Sequence, residues 1–123
     1  MDYTEKRRHP RLILISPVRI SPLISPSEKQ SPPIPHKDYQ GLIRNISLSG
    51  LGIESYEIMA VGKKYLFSFS TGNLWKIKVN GEIKWSSEMG GRRLYGIEFT
   101  KDNPWLTRLK IYLVVRRLSC RKI

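Results

Sequence analysis

The sequence predicts a mainly β domain: about six antiparallel strands rolled into a small barrel, with one α-helix at the C-terminal end. Three observations predict it. Trp75, Ile77, Val79, Gly81, Ile83 and Trp85 hold every odd position of their stretch, and Lys76, Lys78, Asn80, Glu82 and Lys84 hold the even ones. That is the period-2 pattern of a strand with one buried face. Short apolar runs are separated by Gly, Asn and Ser at close spacing, the punctuation of an all-β domain. After Asp102-Asn103-Pro104 the apolar spacing changes to the three and four of a helix.

In chain order, residues 1–11 are polar, charged and without period, and read as a mobile arm. Leu12–Ile15 and Val18–Ile20 read as strand interrupted at Pro17, and a proline inside a strand points to an edge or a bulge. Six of the eight prolines fall between Pro17 and Pro35, interleaved with serines. Residues 21–40 are therefore expected to form an extended loop with no core of its own. Leu42–Ile46 and Leu51–Ile53 flank a turn at Ser47–Gly50, and Tyr65, Phe67 and Phe69 alternate with Leu66, Ser68 and Ser70. Thr71-Gly72-Asn73 reads as a turn.

Asn80-Gly81 is a hairpin signal, yet the alternation passes through it in phase, so one long strand bent at Gly81 is expected. Trp75 and Trp85, on its apolar face, are expected in the core. Glu88–Gly91 is a turn and Leu94–Thr100 the last strand, which puts the barrel at 12–101. Residues 102–123 read as a helix entered through a capping residue and then proline. Trp105, Leu106, Leu109, Tyr112, Leu113 and Leu118 are expected to pack on the sheet. Arg108, Lys110, Arg117 and Arg121 would face solvent.

The 123 residues suit one domain. One cysteine, Cys120, excludes an internal disulfide framework, and a cytoplasmic, soluble protein is expected, without a transmembrane segment. Lys and Arg number 22 against 10 Asp and Glu, a formal charge of +12, which suits either an anionic partner or a surface whose charge serves solubility. Enzyme signatures fail. His9 and His36 have no metal-ligand spacing, Gly50-Leu51-Gly52 lacks the third glycine of a dinucleotide fingerprint, and no serine lies in a nucleophile elbow. Neither an enzyme, nor a cofactor, nor a metal site is expected.

Two clusters carry chemistry. In Lys6-Arg7-Arg8-His9-Pro10-Arg11 the arginine forks can hold a phosphate, or the O6/N7 edge of a guanine, in two-point contact. In Asn45-Ile46-Ser47-Leu48-Ser49-Gly50 the two-residue spacing of Asn45 and Ser47 turns both the same way along a strand. Gly50 permits a tight turn or a close approach. Arg7-x-x-x-Arg11 followed 34 residues later by Asn45-x-Ser47-x-x-Gly50 resembles the PilZ domain family, whose signature is R-x-x-x-R and then [D/N]-x-S-x-x-G. Glu82-Ile83-Lys84-Trp85 and Tyr95-Gly96-Ile97-Glu98-Phe99 are similar to that family's last two strands.

The resemblance implies a six-stranded antiparallel PilZ-type barrel that binds cyclic di-GMP, a bacterial second messenger. It implies that Arg7 and Arg11 hold phosphates and guanine edges, with Arg8 a further cation. Asn45 and Ser47 would hydrogen-bond a guanine, and Gly50 would seat the base. Lys6, Ser49 and Gly96 would be additional contacts. Lys6 stands where members that bind a stacked pair of ligands more often carry Arg, so one or two molecules both stay open. The expected function is an effector or adaptor. Ligand would order residues 1–11, and a downstream protein of motility, pilus, exopolysaccharide or transcription machinery would read the change, with no DNA bound. The rival readings are a small barrel for single-stranded nucleic acid, which the charge suits, and a ligand-independent interaction adaptor.

Overall fold

The computed structural model describes residues 10–23, 38–71 and 75–120. Most of the N-terminal arm, most of the Pro/Ser-rich segment and the turn at Gly72-Asn73 lie outside them. Among the described residues there are six strands and one helix: β1 (Leu12–Pro22), β2 (Tyr39–Ile46), β3 (Gly50–Ser55), β4 (Lys64–Thr71), β5 (Trp75–Met89), β6 (Arg92–Phe99) and α1 (Trp105–Cys120). The strands close into a barrel in the order β1-β2-β3-β6-β5-β4, with every neighbour antiparallel.

β1 runs unbroken through Pro17. A closed barrel has no edge to receive a proline, and the chain uses the other solution, a bulge between Ile13 and Ser16 in the pairing with β2. The ladder to β4 stops at Val18↔Phe69. One step further Ser70 would face Pro17, which has no N–H, and the Ser70 carbonyl accepts from Ser16 Oγ at 3.1 Å. That hydroxyl replaces the donor the ring removes.

β5 is the single long strand that the alternation predicts. Its inward positions Ile77, Val79 and Ile83 are buried beside Ile20, Ile43, Phe67 and Ile97. Each such side chain contributes about 1.5–3 kcal/mol when taken out of water. Gly81 has no room for a side chain, because a Cβ there would stand 2.5 Å from Ile97 Cγ2 and 3.1 Å from the Phe67 ring. The turn to β6 is made by Gly90 and Gly91, both at positive φ. Two buried phenols, Tyr65 and Tyr95, share the core. Tyr95 satisfies its hydroxyl by donating to Glu57 O and accepting from Met59 N, which pins the β3–β4 connection.

Two expectations are corrected. Trp85 is not in the core: a register shift between Ile83 and Trp85 in the pairing with β6 ends the strict alternation, and the indole is 42% exposed. The second correction concerns α1. Its buried residues are Ile111, Val114 and Val115, with Leu118 packed against the same core, and the helix rests on β5 and β1. The predicted stripe of Trp105, Leu106, Leu109 and Tyr112 is exposed.

Asn103 ties the chain leading into α1 to the barrel. Its side chain is not a helix cap. Oδ1 accepts from Asn80 N at 2.7 Å, and Nδ2 donates to Asn80 O at 2.9 Å and Thr100 O at 2.8 Å. The amide thereby continues the ladder beyond Phe99↔Gly81, where β6 ends. Pro104 supplies the carbonyl for the first helical bond, from Arg108 N.

Candidate functional site

Pairing of β1 with β2 sets Leu12 opposite Ile46 and Ile13 opposite Asn45, which brings the start of β1 to the end of β2. There Arg11 Nη1 donates to Asn45 Oδ1 at 3.1 Å. Residues 34 apart in sequence, one from each motif, meet at one point.

Asn45 lies over β3. A Cβ on Gly52 would stand 2.5 Å from its Oδ1 and 2.7 Å from its Nδ2. Gly52 is paired with Gly96 on β6, and a Cβ on Gly96 would overlap the Trp85 indole. The barrel wall is therefore bare at two facing positions, with an amide laid over one glycine and an indole over the other. Arg11, Arg44, Asn45, Gly52, Trp85, Met89 and Leu94 line the resulting depression of about 260 Å³.

Arg44 projects from β2 and donates to Glu54 Oε2 at 3.0 Å. Glu54 is nearly buried and also takes Arg92 at 3.3 Å. That pairing fixes the Arg44 stem beside the depression.

Ser47, Ser49 and Gly50 build the adjoining turn. Ser47 is 2% exposed. Its Oγ accepts from Ser49 N at 3.2 Å and Gly50 N at 3.1 Å, and shares a bond with Ser49 Oγ at 3.2 Å. Ser47 N donates to Gly50 O at 2.9 Å. The hydroxyl thus satisfies the two amides that the tight turn leaves open. Gly50 lies so close to β6 that a Cβ would overlap the Ile97 carbonyl. Ser49 faces a second, wider cleft of about 1010 Å³ between this turn, the end of β6 and α1, which Glu98, Lys101 and Arg108 also line.

Of the residues that the motifs single out, the structure brings Arg11 and Asn45 to the depression, with Gly96 beneath the Trp85 indole that lines it. It sets Ser47, Ser49 and Gly50 in the turn beside it. Lys6, Arg7 and Arg8 lie outside the described residues. Three site residues escape sequence reasoning. Gly52 shows only as part of a failed dinucleotide fingerprint, Arg44 only as a position inside the strand Leu42–Ile46, and Trp85 as a core residue.

Chemically, the depression gathers two guanidinium groups, Arg11 on Asn45 and Arg44 on Glu54, of the kind that takes phosphate or guanine edges. It also offers an amide that both donates and accepts, and an indole suited to stacking on a base. Among the described residues no group of His, Cys, Asp and Glu could hold a metal ion, and no helix is long and apolar enough to cross a membrane.

Barrel, helix and basic, aromatic depression define a small closed-barrel domain of a recognisable kind. The family model for the PilZ domain matches residues 5–110, and the chain belongs to that family. No curated protein sequence matches it.

Among solved structures, the chain is similar to the PilZ domain with c-di-GMP of YcgR from Escherichia coli. The TM-score is 0.69 at 13% identity, covering 94% of this chain and 93% of that one. It is also similar to the inhibitor of motility MotI/DgrA of Bacillus subtilis, with a TM-score of 0.68 at 13% identity, covering 95% of this chain and 53% of that one. The MrkH–c-di-GMP complex of K. pneumonia gives a TM-score of 0.65 at 13% identity, covering 94% of this chain and 53% of that one. The chain thus spans about half the length of MotI and of MrkH. At these identities the likeness establishes the fold.

Proposed function

We propose that the chain is a cyclic di-GMP effector module. The observation that carries the reading is the contact of Arg11 with Asn45, one residue from each motif, at the depression lined by Gly52 and Trp85. A guanine stacks on the indole and is held by edge through Asn45 and an arginine fork. The phosphates lie toward Arg11 and draw Lys6, Arg7 and Arg8 onto the barrel, which fixes residues 1–11 across the Asn45–Gly50 edge. A downstream protein reads that rearranged surface. Ser47 acts by holding the turn that positions Asn45 and Gly50, Ser49 belongs to the same turn, and Gly96 leaves room for the indole.

The test is titration calorimetry with cyclic di-GMP on wild type, Arg7→Ala and Arg11→Ala. Each substitution is expected to cost tenfold or more in affinity. Equal affinity in all three rejects the reading.

The exposed Trp85 gives the single-strand reading a stacking face, which a core position would have denied it. One indole above about 260 Å³ suits one base rather than a track of them. Competition decides: an oligonucleotide that displaces cyclic di-GMP at equal concentration, with steep salt dependence, favours nucleic acid.

A further inference from the structure

The outward face of α1 is unclaimed by the barrel or by the depression. At 3.6 residues per turn, Trp105, Leu109, Tyr112 and Arg116 follow one another along the line opposite to buried Ile111, Val114 and Val115. Trp105 is 73% exposed, Leu106 48%, Tyr112 46% and Leu109 41%. The helical wheel sets Arg108 on one margin of this stripe, and Lys110 and Arg117 on the other. Between Trp105 and Cys120 there are four cations and no acid, and the sequence continues with Arg121-Lys122.

We infer that this face is a docking surface for an anionic lipid bilayer, on which α1 lies parallel to the membrane plane. Charge complementarity selects the occupant. A second copy would press two acid-free helices together and set Arg116 and Arg117 against like charges. An anionic headgroup layer takes cations from both margins at once, because long basic side chains reach up to the headgroups while the apolar stripe enters the acyl boundary. Trp105 and Tyr112 are the side chains that favour that boundary, with an apolar ring and a polar edge. The stripe lies on a convex helix about 24 Å long, a shape that a bilayer surface accepts without a preformed groove.

The experiment is co-sedimentation of the full chain with vesicles of phosphatidylcholine, alone or with phosphatidylglycerol added. The variants are Leu109→Glu and the pair Arg116→Glu/Arg117→Glu. Wild type is expected to sediment with the anionic vesicles and stay in solution with the neutral ones. Each variant is expected to lose tenfold or more in partitioning, with an unchanged melting temperature and unchanged cyclic di-GMP titration. Indole fluorescence provides a second readout: a blue shift on anionic vesicles that Trp105→Phe diminishes.

Three results overturn the inference: no sedimentation of wild type, equal sedimentation with neutral vesicles, or variants that bind as wild type does. A wild-type dimer that Leu109→Glu converts to monomer also overturns it and gives the face to a second copy. Failure here leaves the ligand reading untouched, since none of these residues lines the depression.

Discussion

Gly52 and Gly96 stand directly opposite each other on β3 and β6, and each carries a neighbouring side chain where its own would be: Asn45 over the first, Trp85 over the second. Two strands thus give up side chains so that two others can lie across them. Gly96→Ala forces the indole out of its place, at about 1–3 kcal/mol for an overpacked contact. The expected outcome is a lower melting temperature, an altered Trp emission and a loss of cyclic di-GMP affinity. The affinity loss should match the roughly 1–3 kcal/mol of base stacking. Unchanged affinity with a displaced indole would remove Trp85 from the ligand site.

Arg11 and Asn45 touch, so their contributions are coupled. Arg11→Ala and Asn45→Ala are each expected to weaken cyclic di-GMP binding. The double variant should lose less than the sum, with a coupling energy of about 0.5–3 kcal/mol. Calorimetry on the four proteins of the cycle measures it. Strict additivity would mean that the 3.1 Å contact plays no part in organising the site.

Ser47 separates turn stability from ligand contact. Its Oγ answers two backbone amides in a buried turn, so Ser47→Ala leaves both without their acceptor and is expected to cost about 1–3 kcal/mol. Denaturant unfolding measures that loss. If Ser47 acts through the turn, affinity falls together with stability, and added osmolyte recovers both.

Much of the barrel is legible in the sequence because a half-buried strand repeats every two residues and nothing competes with that pattern in Tyr65–Phe69 or Ile77–Ile83. The misreadings have physical causes. At Trp85 a bulge moves the register by one residue, and a bulge of this kind leaves no mark on the alternation itself. In α1 two apolar stripes coexist, Trp105-Leu109-Tyr112 and Ile111-Val114-Val115-Leu118. Periodicity alone cannot choose between them. The second stripe meets β5 and β1, long-range neighbours invisible to local patterning. The motif residues of the site were legible by spacing, while Gly52 and Arg44 matter only through cross-strand neighbours.

Tyr65 makes the core sensitive to alkali. Burial, and after it the nearby Tyr39 and Tyr95 phenols, raise its pKa above the usual 10.0. The unfolded chain therefore loses this proton first. The stability is intact below pH about 10 and falls as pH rises through the folded value. Urea midpoints across that range should decline for wild type and decline less for Tyr65→Phe. Parallel decline in both proteins would assign the effect to other groups.

Asn103 couples the residues that lead into α1 to the barrel. Its amide makes three hydrogen bonds to backbone groups of Asn80 and Thr100. Asn103→Ala leaves the Asn80 N–H without an acceptor, at about 1–3 kcal/mol, and frees the residues that lead into the helix. Asn103→Asp keeps the acceptor for Asn80 N but replaces the donor with an oxygen facing two carbonyls, so it should be at least as damaging as alanine. Hydrogen exchange is the measurement. Amides of α1 should exchange faster in both variants, while β2 and β3 stay protected. Uniform acceleration across the barrel would mean that the helix and barrel unfold as one unit, with Asn103 contributing only to global stability.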